Sequence, residues 1–207
     1  MTETDDDTPY DAEREARLDV MREKFDPETV SRTLVLAGLT QLVHRYLQLL
    51  VVEMLQGTYG WVPGKWDPDK RGSKGTWTDL KRHGDYQREV SSKSDFNKSR
   101  DWLIAAGAIT EDDAAVLTTL HQHRTNIVHE LDDFLINPSR QPDTRAINSA
   151  IRVFRTLDRY WAGRAVASGK FGTDEVPLDE VKSMQGVVLE HVIAVVNHKF
   201  PEREPEC

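Results

Sequence analysis

TEDDAAVLTTLHQHRTNIVHELDDFLI, residues 110–136, is the stretch from which the rest of the chain is read. Thr110 precedes Glu111, Asp112 and Asp113, a hydroxyl cap followed by acids at the positive end of a helix dipole. Leu117, Leu120, Ile127, Leu131 and Phe134 then recur at helical spacing and define one apolar stripe. The spacing predicts a helix to about Ile136, stopped ahead of Pro138 because the residue before a proline avoids helical backbone. At about 100° per residue, Arg124 falls in the middle of that stripe. A guanidinium on a core-facing line is costly unless it is paired or the line faces a polar cleft.

The neighbouring segments have the same character. Asp26-Pro27-Glu28 is a second helix start, with a cap residue, proline in the first turn and an acid beside it. A long helix is expected from there to about Gln56, apolar over more than half its circumference and therefore central. Gln41, His44, Arg45 and Gln48 form a polar line on it. They read first as a solvated face, with the wall of a polar cleft as the sharper alternative. A shorter helix is expected from about Asp11 to Lys24, with Leu18, Met21 and Phe25 on one side. Another begins near Asp95, carries Phe96, Trp102, Leu103, Ile104 and Ala105, and ends at Gly107. Asp143 or Thr144 starts a helix bearing Ile147, Ile151, Phe154, Leu157 and Trp161, broken by Gly169 and Gly172. A last helix is expected to open at Pro177, carry Val181, Met184, Val188, Val192 and Val195, and close before Pro201. With no run of alternating strands and no internal repeat, the fold class is all-α, a bundle of about five to six helices. One helical domain is expected over residues 10–200, after a disordered acidic lead over residues 1–9.

Gly57 to Gly84 interrupts this pattern. It holds eight glycines and prolines together with Tyr59, Trp61, Trp66 and Trp77. Residues 57–95 are therefore expected to form a long basic, aromatic loop inserted into the bundle. Residues 57–100 carry ten bases against six acids, in a chain whose overall charge is −8. Interleaved aromatics and bases can stack nucleobases and hold phosphates. The competing reading is that the tryptophans fold back on the bundle as a satellite core.

Composition narrows the setting. The sole cysteine is Cys207, so no internal disulfide can form, and a reducing cytoplasm is expected. The acidic start is unlike a secretory signal. The run from Leu34 to Leu55 is interrupted by Gln41, His44, Arg45, Gln48 and Glu53, which makes it a poor membrane span. His121 and His123 point about 200° apart on a helix, and His129 lies two turns beyond His121, so shared metal ligation is not expected. No phosphate-binding glycine loop or nucleophile elbow is present, and no cofactor or metal is implied.

Arg124 and His129 are the candidate catalytic pair. Five residues on a helix subtend about 500°, which places them roughly 140° apart, with Val128, His121, Asp132 and Thr125 between. The arginine's reach, or a second copy of the helix, would be needed to close a site. Histidine exchanges a proton near neutrality, and arginine offers a charged fork to a phosphate. Together they suit RNA cleavage by the ribose 2′-hydroxyl.

His123-Arg124-Thr125-Asn126-Ile127-Val128-His129-Glu130-Leu131 resembles the signature of the HEPN superfamily. These are α-helical domains whose ribonuclease members carry an arginine, four to six residues and then a histidine, late in a helix. The specific likeness covers about a dozen residues. In active members the position after the arginine is commonly Asn, Asp or His; here it is Thr125, with Asn126 one place later. Leu131 stands where one subgroup has a tyrosine that is nucleotidylated. The resemblance implies a homodimer whose two motifs line one cleft, and a metal-independent endoribonuclease acting on RNA as a toxin or antiviral-defence effector. An antitoxin or defence-system protein would be its partner. His129 would be the general acid–base and Arg124 the phosphate clamp, with Thr125 and Asn126 orienting them. The alternative is a non-catalytic dimeric binding module engaging a protein or nucleotide, in which Arg124 is structural and paired with Glu53 or an acid of the second copy.

Overall fold

The computed structural model describes residues 9–62, 76–77, 80–90, 95–137, 139–168 and 181–200. The fold is all-α, with more helices than the five to six expected. In order they are α1 (Pro9–Lys24), α2 (Pro27–Gln48), a π-helical turn (Leu49–Glu53), α3 (Met54–Thr58), α4 (Leu80–Glu89), α5 (Asp95–Ala105), α6 (Glu111–His129), α7 (Leu131–Ile136), α8 (Thr144–Ala167) and α9 (Met184–Lys199). Between α3 and α4, Trp61–Val62 pairs antiparallel with Thr76–Trp77.

The starts read from sequence are formed by the expected atoms. The Asp26 carboxylate accepts from the Glu28 and Thr29 N–H groups, with Pro27 in the first turn. Thr110 and Asp113 make a reciprocal capping box. The Asp143 carboxylate accepts from the N–H groups of Arg145 and Ala146.

α2 is central, packed by α6, α8 and α9, and the π turn after it continues against α5 and α8. Val43, Leu47, Val51 and Leu55 meet Leu103, Leu117, Leu120 and the α8 line Ile147, Ile151, Phe154, Leu157 and Trp161 in one buried cluster. The stretch Pro27–Thr58 is long and apolar enough to cross a membrane on length and composition alone. In the fold its apolar side chains supply much of this core. The π turn adds a residue to the helical repeat and so rotates the face presented beyond it. Its Leu50 carbonyl accepts the Trp161 indole N–H at 2.9 Å, which satisfies a buried donor from the opposite helix.

The chain departs from the sequence reading in three places. The motif helix does not run on to Ile136: it ends at His129, and Glu130 leaves helical geometry (φ −132°, ψ 32°) before α7 begins. Arg140 holds this corner. It pairs with Glu130 at 2.5 Å and Asp133 at 2.6 Å while its guanidinium lies 4.7 Å over the Phe134 ring. Ile127 and Phe134 then close a second small core with Ala37 of α2.

Residues 57–95 are not one long loop. α3 runs to Thr58 and α4 covers Leu80–Glu89, continuing through Gly84. Tyr86 and Val90 are buried in the main core, and the Tyr59 hydroxyl donates to Glu89 at 2.6 Å. This part of the aromatic segment therefore folds back on the bundle, because Tyr86 recovers its burial against Tyr59 and its hydroxyl accepts from Gln56. Trp66 and the side chains of Trp61 and Trp77 lie outside the described residues, as do the lead over residues 1–8, Gly169, Gly172, Pro177 and Pro201.

The last helix begins at Met184, not Pro177. The Ser183 hydroxyl accepts from the Gly186 N–H, and buried Asp158 accepts from the Ser183 N–H, so the start is set by a contact with α8.

Candidate functional site

α2 and α6 run antiparallel, and Gln41 and His44 of the α2 polar line face the motif helix. The Arg124 Nε donates to the Gln41 Oε1 at 3.0 Å. One turn further on, the His44 Nε2 and His121 Nδ1 are 3.1 Å apart, one ring donating and the other accepting. These contacts decide the reading of the α2 line: Gln41 and His44 wall a polar seam, while Gln48 stays exposed. They also answer the misfit of Arg124. The apolar stripe of α6 divides at this point, with Leu117 and Leu120 in the main core on one side and Ile127 in the small core on the other.

The seam carries more nitrogen chemistry than the motif supplies. His121 is sandwiched in part between His44 and Phe96, with ring centroids at 5.3 Å and 6.4 Å. Arg100 of α5 reaches Thr118 of α6 at 3.4 Å. Burial holds the His44 imidazole down at about 4, and the nearby His121, Arg124 and Arg45 charges reinforce the shift. His44 is thus neutral around pH 7 and can serve as a hydrogen-bond partner but not as a cation. His44 was visible in sequence only as one member of a polar line; its pairing with His121 joins helices 77 residues apart.

The cations of this region differ in what they face. Arg100 is paired with Asp101 at 2.9 Å, and Arg45 with Glu53 at 2.8 Å. Glu53 is therefore taken by Arg45 and does not reach Arg124, contrary to the pairing considered for a purely structural arginine. Arg124 is held by a neutral amide and has no ion pair among the described residues. Its charge is oriented but not cancelled, the state in which a guanidinium remains available to an anion.

His129 is the last residue of α6, is exposed, and has no hydrogen-bond partner among the described residues. No hydrogen bond links it to Arg124. Thr125 and Asn126 bond along their own helix: the Thr125 hydroxyl donates to the His121 carbonyl at 2.9 Å, and the Asn126 Oδ1 accepts from Gln122 at 3.0 Å. His123 faces elsewhere. Its Nε2 accepts the Asp143 backbone N–H at 2.9 Å and its ring packs edge-on to Phe134, so it ties α6 to the start of α8. Burial lowers its pKa, against a smaller opposing pull from Asp143, and the accepting nitrogen requires the neutral ring.

No family model matches the chain, and neither a curated protein nor a solved structure is significantly similar to it. The class that the fold defines is an all-α protein with a polar seam between two antiparallel helices.

Proposed function

We propose that this protein is a HEPN-like, metal-independent endoribonuclease that acts as a homodimer in the cytoplasm, as a toxin or antiviral-defence effector. The observation that carries the reading is Arg124, whose guanidinium is aimed by a neutral amide and has no counter-charge among the described residues. Two imidazoles lie in the same seam, and His129 is exposed in the last turn of the same helix. An RNA phosphate would supply the missing anion. The ribose 2′-oxygen attacks phosphorus, the P–O5′ bond breaks, and Arg124 stabilises the charge that builds on the phosphoryl oxygens. His129 takes the proton of the attacking 2′-hydroxyl and gives it to the leaving O5′. His129, exposed in the last turn of α6, can meet a substrate or the motif of a second copy.

Purified protein is expected to cleave RNA in EDTA and leave a 2′,3′-cyclic phosphate. His129→Ala and Arg124→Ala are each expected to reduce cleavage by at least about 10²-fold with an unchanged helical spectrum. Undiminished cleavage by either variant overturns the role given to that residue.

The second reading is a non-catalytic dimeric module, and the internal Gln41–Arg124 bond favours it, because that bond also suits a purely structural arginine. Expression separates the two. Growth arrest relieved by either substitution supports the enzyme, whereas equal growth for all three proteins supports the module.

A further inference from the structure

Away from the motif, two cavities meet on the opposite side of α2. The larger, of about 460 Å³, is walled by Leu36, Leu39, Ile147, Ile151, Ile193 and Phe200 from α2, α8 and the end of α9. The smaller, of about 220 Å³, is walled by Lys24, Thr29, Thr33 and Gln141. Arg32 and Leu36 line both, so the two are neighbouring compartments of one cleft. We propose that this cleft binds a small amphipathic anion, a monocarboxylate whose aliphatic body fills the apolar compartment and whose carboxylate meets Arg32.

Charge carries the argument as much as shape. The chain has 35 acids against 27 bases, yet among the described residues no carboxylate lines either compartment. Arg32, half-buried at the junction, makes no ion pair among the described residues. Lys24 is a second cation in the polar compartment, 5 % exposed, and its ammonium donates to the Arg140 carbonyl at 2.7 Å. Burial draws its pKa down, opposed in part by Asp133. Arg32, half-buried and without an ion pair among the described residues, favours an incoming anion, since the ligand's charge is then met where water is partly excluded. The apolar walls, with Asn148, Asn197 and Thr144 as their polar interruptions, match the usual make-up of small-molecule sites of ~300–1,000 Å³. A fully apolar ligand would leave Arg32 buried without a partner, and a compact anion such as phosphate would leave the larger compartment empty.

Titration calorimetry and thermal unfolding of the full chain test this with octanoate, octanol, octylammonium and inorganic phosphate. Octanoate is expected to bind and raise the unfolding temperature, and each of the other three to bind at least about tenfold more weakly. Arg32→Gln is expected to weaken octanoate about tenfold, with Arg32→Lys recovering part of the loss. Val196 of α9 also lines the apolar compartment, and Val196→Trp, which adds bulk there, is expected to abolish octanoate binding while the protein keeps its helical spectrum. Equal binding of octanoate and octylammonium, octanoate binding unaffected by Arg32→Gln, or no octanoate binding at about 1 mM overturns the proposal. RNA cleavage is not the readout, so failure here leaves the reading of the Arg124 seam standing.

Discussion

His44 ties the stability of the seam to pH, and the size of the effect follows from its surroundings. In the unfolded chain its imidazole takes a proton near pH 6.5; in the fold it does so only at about 4, chiefly because it is buried and then because His121, Arg124 and Arg45 oppose a further charge. Between these values the unfolded state binds more protons than the folded one, so acidification favours unfolding. The contribution of neutral His44 is complete above about pH 6.5 and is lost as pH falls to about 4. At 1.36 kcal/mol per pH unit the ceiling is ~3.4 kcal/mol. The ring is only partly buried, and solvent screening brings the expected effect to about 1–2 kcal/mol. The measurement is urea unfolding of the wild type and of His44→Gln, from roughly pH 7.5 to roughly pH 4.5. Carboxylate titrations common to both proteins cancel in the difference, and glutamine keeps a partner for His121. The wild-type advantage is expected to shrink by about 1–2 kcal/mol toward acid. A difference that stays flat across this window refutes the seam geometry from which the shift is argued.

Two other expectations test the packing that positions the seam. Gln41→Leu removes the acceptor that holds Arg124 and leaves a half-buried guanidinium beside an apolar side chain; stability is expected to fall by about 1–2 kcal/mol in chemical unfolding, with RNA cleavage falling as well. Unchanged values for both would show that Gln41 does not position Arg124. Trp161→Phe leaves the Leu50 carbonyl of the π turn without its indole donor and reduces the buried volume; a loss of about 1–3 kcal/mol is expected by thermal unfolding, and a loss near zero would show that the indole bond contributes nothing.

The cleft around Arg124 shows how local and non-local information divide. The helix on which it sits was readable because Thr110, the acids after it and the apolar repeat are all local signals. The misfit of the arginine was readable for the same reason. Its partner was not: Gln41 lies 83 residues away, and nothing within either helix says which face of one meets which face of the other. The corner at Glu130 escaped the sequence reading because its cause, Arg140, lies beyond the helix it interrupts. α4 was missed because Gly84 and sparse apolar spacing argue against a helix, whereas Tyr86 and Val90 gain enough from the core to override that local preference.

The amino-acid sequence by itself determined the all-α class, the caps at Asp26 and Thr110, a helix start at Asp143 or Thr144, the core line of α8 and the oddity of a charged residue on an apolar stripe. Each follows from residues within a few turns of one another, where periodicity and hydrogen-bond chemistry act directly. Tertiary structure alone decided that Gln41 and His44 of the α2 polar line face α6, that Arg45 takes Glu53, and that Arg124 has no ion pair among the described residues. It also decided that Arg32 sits at the meeting of two cavities with no acid to face it among the described residues. Those outcomes depend on which helix faces pack together, a choice made by burial across the whole core rather than by any one segment.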